Sequence, residues 1–512
     1  MPKQLRVLIC SLVLSCLALL TTSSAYSAEP KEWTFLVYMN SDNDLWRFGQ
    51  MNFAEMERVG SSDQVNIVVQ QDPEPRNMPT SRYLVQRNPK SQPGVITSKP
   101  LLQMGETDMG DWRTLADFMI WGARNFPAKH YALVVWNHGS GWVGISADDS
   151  PKHVMQIPDL RLALETFNKM AAQIQGAPGD GGPVLDIINY DACLMSAMEV
   201  AYEFRGQARV SIGSQFLEPG EGQNYTGLLK PLVENPQMSV GDFARVMVYQ
   251  YSLRYANSSS SEINYLAVDL AKFPKFTAAF SEVAAGILEA PSGLRSELVS
   301  SFVNPGDGGG FDLIGVMRAA QRTVGSRLPP LAAKLEALYQ MYGYPEDNPV
   351  TVNTESGPVR SYRILRYGPG VVNFRYSSDM EWKSIALGAV GDGSYVASIP
   401  APPPGTQLQY VVLKRGLRAG AEVLMQEAVS QIMREGADPI VFHDKFPPQS
   451  PVIAESHNFK TKGAHGISLY GLAGMQAIRR GYRALGEALV SDYKRLQFAT
   501  IGAPAWTQLF GF

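Results

Sequence analysis

The chain is poor in cysteine, with three residues of this type. Cys10 and Cys16 lie within the first 28 residues, so Cys193 is the single thiol of the remaining chain. One cysteine cannot form a disulfide within a molecule, which excludes a disulfide-stabilised fold. A lone free cysteine is often a small buried apolar residue, but it also meets the first requirement of a thiol nucleophile. Composition alone leaves both interpretations open.

Strong charge runs and metal-binding spacings are also absent from the sequence. The net charge is -3 and the basic residues are scattered, so neither nucleic acid nor an anionic membrane surface is an expected partner. No HExxH motif and no paired Cys/His spacing occurs, which argues against a metal centre. The composition is otherwise that of a soluble globular protein.

The N-terminal segment has the order of a secretory signal peptide. Lys3 and Arg6 give it a basic start, residues 5–20 are mostly apolar, and small residues follow as far as Ala28. This order predicts cleavage between Ala25 and Ala28. The apolar stretch is shorter than the roughly 20 residues that a membrane-spanning helix needs. The sequence therefore predicts an exported protein, either periplasmic or secreted.

The first two thirds of the chain alternate β-rich apolar runs with amphipathic stretches. Strands that alternate with helices favour a mostly parallel sheet with helices on both faces. Ligands bind such sheets beyond the carboxyl ends of the strands, so functional side chains are expected just after the strand-like runs. Those runs are Thr34–Met39, Val65–Val69, Tyr131–Trp136, Val184–Asn189 and Arg209–Gly213, and the helix-like stretches are Trp46–Val59, Thr114–Asn125 and Leu160–Ile174.

From about Val350 the pattern changes to short strand-like segments separated by Gly- and Pro-rich turns, which predicts a small β-sandwich. A helical pattern returns at Ala421–Glu435, and a last strand, Gly466–Tyr470, is expected to rejoin the α/β sheet. The β-rich module is then an insertion. The predicted domains are a signal peptide (1–28), an α/β core (29–345), a β-sandwich-like insertion (346–416), and a C-terminal helix with the returning strand of the core (417–512).

Two of the strand-like runs end in residues suited to nucleophilic catalysis. His138 and Gly139 follow the run Tyr131–Trp136, and Cys193 follows the run Val184–Asn189. A cysteine peptidase needs a thiolate, an imidazole that exchanges protons with it, and two hydrogen-bond donors for the developing oxyanion. If the two strands are neighbours, both side chains project over the same edge of the sheet. The N–H of Gly139, which has no Cβ, and the N–H of Cys193 are then the expected donors.

Each of these features also has a structural interpretation. Asn137-His138-Gly139 suits a simple turn after a strand, and Asp191 suits the cap of a helix that begins near Cys193. The remaining histidines lack the setting of a strand followed by glycine, except for His465, which is interpreted as a packed residue at the start of a strand.

Several motifs together resemble the clostripain family of peptidases. They cover most of residues 33–265 and the last sixty or so residues, and their number and order are more specific than any one of them. They are Trp33–Met39 with Asp42–Leu45, Asn137–Trp142, Asp191–Met195 with Glu199–Tyr202, Pro219–Gly222, and His465–Tyr470.

The resemblance implies a caspase-like α/β fold, shared with caspases, gingipains and legumain, and cleavage of proteins or peptides after Arg or Lys. At the matching positions, Cys193 is the nucleophile and His138 is the general acid/base. Asp191 and Glu221 match the acids of the pocket for the basic side chain, although the family often has Asp where Glu221 stands. Some members need calcium, but no calcium-binding loop is recognisable here.

The family precedent also implies self-cleavage in the loop after the histidine strand. Lys152 is the basic residue of that polar loop, whereas Arg161 and Lys169 fall within the next predicted helix. The alternative function is a non-catalytic exported binding or adhesion protein on the same scaffold, with contacts made by the β-rich module. A small-molecule thiol hydrolase or transferase needs the same Cys/His pair but no acidic pocket.

Overall fold

The computed structural model describes residues 30–74, 78–255, 263–302, 310–343 and, with gaps, 350–509. The predicted signal peptide and His465 lie outside the described residues. Among the described helices, none has the length and apolar character needed to cross a membrane.

A ten-stranded sheet forms the centre of the fold. Numbered along the chain, its strands are β1 (Lys31–Ser41), β2 (Val65–Pro73), β3 (Ser81–Leu84), β4 (Pro100–Gln103), β5 (Ala128–Trp136), β8 (Leu185–Asp191), β9 (Val210–Gly213), β10 (Asn264–Asp269), β20 (Ile440–His443) and β21 (Val452–Asn458). They lie in the order β20-β21-β10-β9-β8-β5-β1-β2-β3-β4. The five from β9 to β2 are parallel, and antiparallel strands extend both edges.

Helices cover both faces of this sheet, because its central strands are apolar on both sides. Along β1, Phe35 and Val37 contribute to one core while Leu36 and Tyr38 contribute to the other, as the two-residue period of a strand requires. The first core also contains side chains of α1 (Trp46–Val59), α5 (Tyr225–Glu234) and α6 (Val240–Arg254). These observations confirm the predicted α/β class, a mostly parallel sheet flanked by helices.

The second face carries more helices and the larger apolar core. Its helices are α2 (Trp112–Asn125), α3 (Ile157–Gln175), α4 (Met198–Glu203), α7 (Phe273–Glu289), α8 (Ser292–Ser300), α9 (Leu313–Val324), α10 (Pro329–Tyr342), α11 (Arg483–Arg495) and α12 (Pro504–Leu509), with a 3-10 turn (Gly141–Val143) and a π-helical turn (Phe498–Gly502). Two small antiparallel pairs complete this part: β6 (Ile145–Asp148) with β7 (His153–Met155), and β11 (Phe311–Asp312) with β22 (Ser468–Leu469).

Between α10 and β20 the chain forms two four-stranded antiparallel sheets. One has the order β12-β13-β17-β16 and the other β15-β14-β18-β19. Their strands are β12 (Val350–Thr354), β13 (Gly357–Tyr367), β14 (Gly370–Tyr376), β15 (Lys383–Ala386), β16 (Gly388–Gly391), β17 (Ser394–Pro400), β18 (Leu408–Arg418) and β19 (Ala421–Ile432).

Two expectations for the C-terminal part are wrong. The segment predicted to be helical from Ala421 is strand β19, because cross-strand pairing with β18 overrides the helix-favouring Ala, Glu, Leu and Met of this segment. The predicted boundary at residue 416 accordingly falls inside β18. The strand predicted at Gly466–Tyr470 is β22, which pairs with β11 and not with the central sheet. The strands that rejoin that sheet are β20 and β21.

Candidate active site

The two strands that precede His138 and Cys193 are neighbours in the sheet, which meets the condition that the sequence analysis set. Trp136, the last residue of β5, is the register partner of Asp191, the last residue of β8. The next amide along, that of Asn137, donates to the carbonyl of Asp191 at 3.2 Å. Because the strands are parallel, the residues beyond both ends emerge at the same edge of the sheet. His138 and Cys193 therefore lie on adjacent loops.

Asn137 fixes the loop that carries His138. Its buried side-chain amide donates to the carbonyls of Asn40, at 2.7 Å, and Ala147, at 2.9 Å. Its side-chain oxygen accepts from the amide of Ala147 at 3.1 Å. These bonds hold the residue after β5 to the end of β1 and to β6. A strand-to-loop turn alone does not need such a side chain, so Asn137 is a positioning residue of the site.

The imidazole of His138 is hydrogen-bonded to Asp44, whose Oδ1 lies 2.7 Å from its Nε2. Both side chains are exposed, His138 to 44% and Asp44 to 80%. An exposed pair of this kind contributes little stability, since water and salt screen it. The ring is therefore free to exchange Asp44 for another partner at low cost.

The thiol of Cys193 is partly buried in a nest of backbone groups. The amide of Glu218 donates to its Sγ at 3.2 Å. Burial raises the pKa of the thiol and the charge of Asp191 adds to this, while the backbone amides of Glu218, Cys193 and Gly139 act in the opposite direction. The protonated thiol is thus the resting form, and its activation requires a base.

Backbone contacts fix the nucleophile loop closely. A Cβ on Gly139 would lie 2.3 Å from the carbonyl oxygen of Cys193, so the histidine loop can approach the cysteine loop only with glycine at this position. Leu194 has φ 68, a conformation that is strained for a side chain of this size. Its amide is tied to the carbonyl of Phe216 at 3.0 Å. The strained residue directly follows the thiol, where it sets the direction of Cys193.

Two buried carboxyl groups lie beside the thiol. Asp191 accepts from the hydroxyl of Tyr225 at 2.8 Å and from the amide of Gln223 at 3.1 Å. Burial raises its pKa to about 6, although these two donors oppose the shift. A Cβ on Gly222 would lie 2.5 Å from the carboxylate of Asp191, so the loop after Glu221 closes tightly over it.

Glu218 is the second buried acid, and the sequence analysis did not single it out. Among the described residues, neither of its carboxyl oxygens has a hydrogen-bond partner of good geometry. Burial and the nearby charges of Asp191 and Cys193 raise its pKa well above the ordinary value. The pKa values of both acids are therefore raised, and the charge of each one opposes ionisation of the other. The clue in the sequence was the position of Glu218 directly before the Pro219–Gly222 motif.

The structure places Glu221 differently from Glu218. Glu221 is exposed, and its backbone carbonyl accepts from the side chain of Asn52 at 3.0 Å. Among the described residues, no hydrogen bond joins its carboxylate to the side chain of Asp191. Lys152 is also exposed, with φ 55, in the turn between β6 and β7.

The described part of the His465–Tyr470 motif, residues 467–470, packs against the segment that follows Cys193. The amide of Ser468 donates to the carbonyl of Ser196 at 2.8 Å, and the amide of Tyr470 donates to the buried carboxylate of Glu199 at 2.9 Å. Tyr493 donates to the same carboxylate at 3.0 Å. Burial raises the pKa of Glu199 to about 8. Residues far apart in the sequence thus support the segment that follows Cys193.

A mostly parallel α/β sheet with a lone thiol and an imidazole on adjacent loops at its carboxyl edge is the arrangement of a thiol-dependent hydrolase. The model of the clostripain family matches residues 37–322 of this chain. The chain therefore belongs to the clostripain family of cysteine endopeptidases.

Individual relatives are distant. Clostripain of Hathewaya histolytica is 24% identical over 207 residues, which are 36% of this chain and 38% of that protein. Among solved structures, a secreted cysteine protease of Bacteroides thetaiotaomicron, in complex with an irreversible peptide inhibitor, is 18% identical, with a TM-score of 0.45 over 72% of this chain and 90% of that one. An inactive zymogen protease of Parabacteroides distasonis is 17% identical, with a TM-score of 0.45 over 73% of this chain and 93% of that one.

Proposed function

We propose that this chain is an exported endopeptidase that cleaves proteins after Arg or Lys, with Cys193 as nucleophile and His138 as general acid/base. The observation that supports this most strongly is the pair of buried carboxyl groups, Asp191 and Glu218, next to the thiol of Cys193. A thiol hydrolase for neutral substrates has no use for two buried acids at this position. Export rests on the sequence of residues 1–28 alone.

The proposed reaction uses these groups in turn. The imidazole of His138 leaves Asp44, takes the proton of Cys193, and the sulfur attacks the peptide carbonyl. The amides of Gly139 and Cys193, which lie near the sulfur, donate to the oxyanion that forms. The imidazolium then gives its proton to the leaving amine, and water hydrolyses the thioester.

Asp191 and Glu218 supply negative charge that can balance the positive charge of a basic substrate side chain. In the free protein Asp191 and Glu218 each disfavour ionisation of the other, because two adjacent buried carboxylates repel each other. A guanidinium or ammonium group offsets that repulsion and favours the ionised form of both acids. The arriving cation then meets carboxylates that are already desolvated, which favours a basic residue over a neutral one of the same size.

Asp191→Asn is expected to lower kcat/KM for a peptide with Arg at P1 by about 100-fold, and for its uncharged analogue citrulline by less than about fivefold. Citrulline has nearly the shape of arginine, so the ratio of the two rates reports charge recognition alone. Glu218→Gln is expected to act in the same direction. The measurement is the rate of cleavage of two fluorogenic peptides that differ only at P1.

Glu221→Gln is the matched control, since Glu221 is an exposed acid of the same loop. A small effect there, with large effects at Asp191 and Glu218, assigns recognition to the buried pair. The reverse pattern makes Glu221 the second acid, as the family resemblance implied. Equal losses on arginine and citrulline peptides in Asp191→Asn contradict a substrate-reading role for Asp191.

Self-cleavage after Lys152 is the second expectation of the proposed function. Lys152 lies in an exposed turn of the β6–β7 hairpin, while Arg161 and Lys169 lie within α3, where cleavage requires unwinding of the helix. Incubation of the purified precursor is expected to give two fragments, the larger starting at His153. N-terminal sequencing and mass spectrometry identify the cut.

Cys193→Ala should remain a single chain under the same conditions, and Lys152→Gln should lose this cut without losing the nucleophile. If the active protein stays uncut, or if an added protease cuts the wild type and Cys193→Ala equally while neither changes alone, self-processing at this position is wrong.

A further inference from the structure

The loop of residues 221–223 brings a backbone amide against Asp191. The amide of Gln223 donates to both carboxylate oxygens of Asp191, at 3.1 and 3.3 Å. Gly222 precedes it with φ 62, and its carbonyl accepts from the hydroxyl of Tyr255 at 2.6 Å. A hydrogen bond donated to a carboxylate favours the ionised form. The groups that hold this loop therefore affect the charge of the acidic pocket.

Helix α1 supports the loop on one side. The side-chain amide of Asn52 donates to the carbonyl of Glu221 at 3.0 Å, and its oxygen accepts from the indole of Trp136 at 2.9 Å. One turn earlier, Phe48 packs against Gly220 so closely that a Cβ there would lie 2.5 Å from the ring. Trp136 ends β5, so one helix contacts both the strand that leads to the histidine and the loop beside the acids.

An ion pair between α1 and α6 supports the same loop from a second direction. Nη1 of Arg254 donates to both carboxylate oxygens of Glu55, at 2.9 and 3.1 Å, and to the carbonyl of Gln223 at 2.9 Å. The two side chains are 14% and 11% exposed. Glu55 also accepts from the amide of Tyr225 at 3.3 Å. Because little water reaches the pair, loss of one partner leaves the other charge uncompensated.

The charge of Arg254 acts on the pocket although its guanidinium is bound elsewhere. Burial raises the pKa of Asp191 to about 6, and the positive charge of Arg254 is one of the causes that oppose this rise. Among the described residues, no ion pair joins Arg254 to Asp191 or Glu218, because Glu55 binds the guanidinium. A guanidinium released at this position would pair with the acids itself. Glu55 thus leaves their charge available for a basic ligand.

We propose that Arg254 is a positioning residue that keeps the amide of Gln223 on Asp191 and thereby sets the preference for a basic substrate side chain. The inference rests on the proposed function in one respect, the binding of that side chain by Asp191. Arg254 touches no substrate and acts through the loop and through its charge. Glu55 has a separate part, since it prevents the guanidinium from competing with the substrate for Asp191.

The first measurement is independent of activity. Hydrogen exchange is followed by mass spectrometry in the full chain with Cys193→Ala, which cannot process itself under the proposed function. Arg254→Gln and Glu55→Gln in this background are expected to speed exchange at residues 221–226 about tenfold or more, with β1 and β5 unchanged. Arg245→Gln, which breaks the ion pair with Asp242 on the same helix, is the control and should match the parent.

Arg254→Lys covers the case in which Arg254→Gln does not fold. Lysine keeps the charge but lacks the planar fork of the guanidinium, so it cannot hold Glu55 and the carbonyl of Gln223 in the same geometry. It is expected to speed exchange at residues 221–226 as well. Unchanged exchange there in a folded variant at position 254 overturns the positioning role.

The second measurement uses the active chain and the peptides with Arg or citrulline at P1. Arg254→Gln is expected to raise KM for the Arg peptide about tenfold, with kcat within about threefold and the citrulline peptide changed by less than about threefold. Arg245→Gln is again the control. Increased exchange at residues 221–226 with an unchanged ratio of the two rates overturns the effect on specificity.

The pH dependence separates this role from a merely structural one. Arg254→Gln removes a positive charge and disfavours ionised Asp191, so the acid side of the kcat/KM profile for the Arg peptide should move to higher pH. Glu55→Gln removes a negative charge and should move it to lower pH. The citrulline profile is the reference. Both variants leave the other titratable groups around Asp191 in place: Cys193, Glu218, Tyr225, Tyr251, Tyr255 and Tyr265.

Shifts in opposite directions support the proposal, whereas no shift, or shifts in the same direction, overturns it. A wild type that cleaves the citrulline peptide as fast as the Arg peptide contradicts the proposed function. The exchange rates at residues 221–226 then decide the role of Arg254 in holding the loop.

Discussion

Cys193→Ala is expected to lower kcat on a P1-Arg peptide by about 10⁴-fold or more, because no other thiol remains beyond the first 28 residues to form the covalent intermediate. The substitution removes one sulfur atom from a partly buried position, so the fold should persist. The measurement combines the rate of peptide cleavage with labelling of the protein by a P1-Arg peptide that carries a thiol-reactive group.

The thermal unfolding midpoint of Cys193→Ala should stay within a few degrees of the wild type, which separates loss of the nucleophile from loss of the fold. Failure of the probe to label the wild type favours the alternative of a non-catalytic binding protein. Full peptidase activity in the variant ends the assignment of Cys193 as nucleophile, whatever the fold.

His138→Ala is expected to lower kcat/KM by about 10³-fold or more, because the thiol then has no base to take its proton. Burial raises the pKa of Cys193 above its ordinary value, so the thiolate fraction near neutral pH is small without the imidazole. The residual activity of the variant should therefore rise about tenfold per pH unit up to the pKa of the thiol. A pH–rate profile of both proteins measures this.

Asp44→Asn is the matched control for that variant, since it removes the hydrogen-bonded partner of His138 without touching the imidazole. If Asp44 only holds the ring in its resting position, the control keeps its activity. A loss as large as that of His138→Ala makes Asp44 part of the proton-transfer unit. A flat pH profile for His138→Ala contradicts the role of His138 as the base.

The sequence predicted the features that depend on neighbouring residues. Apolar runs and amphipathic stretches identified the central strands and the helix Trp46–Val59, whereas the pairing of β5 with β8 is a finding of the structure. Glu218 was missed because its burial depends on the packing of the loop around it.

The β19 segment shows the opposite failure, in which a local pattern was clear and misleading. Its Ala, Glu, Leu, Met and Gln residues favour a helix, but a long ladder of backbone hydrogen bonds with β18 decides the conformation. A pattern of side chains cannot reveal that a partner strand lies alongside. The strands β20 and β21, which complete the central sheet, were likewise not recognisable from their own composition.

The segment after Cys193 is supported by residues that are synthesised late. This segment accepts hydrogen bonds from Ser468, Tyr470 and Tyr493. The indole of Trp506 in turn donates to the carbonyl of Tyr470 at 3.1 Å. During translation His138 and Cys193 are made first, then the β-rich module, and only afterwards the residues that make these contacts. The nascent chain therefore carries its thiol for most of translation without the support that shapes the loop around it. Under the proposed function, the loop that carries the nucleophile therefore gains these contacts only after the last helices have been synthesised.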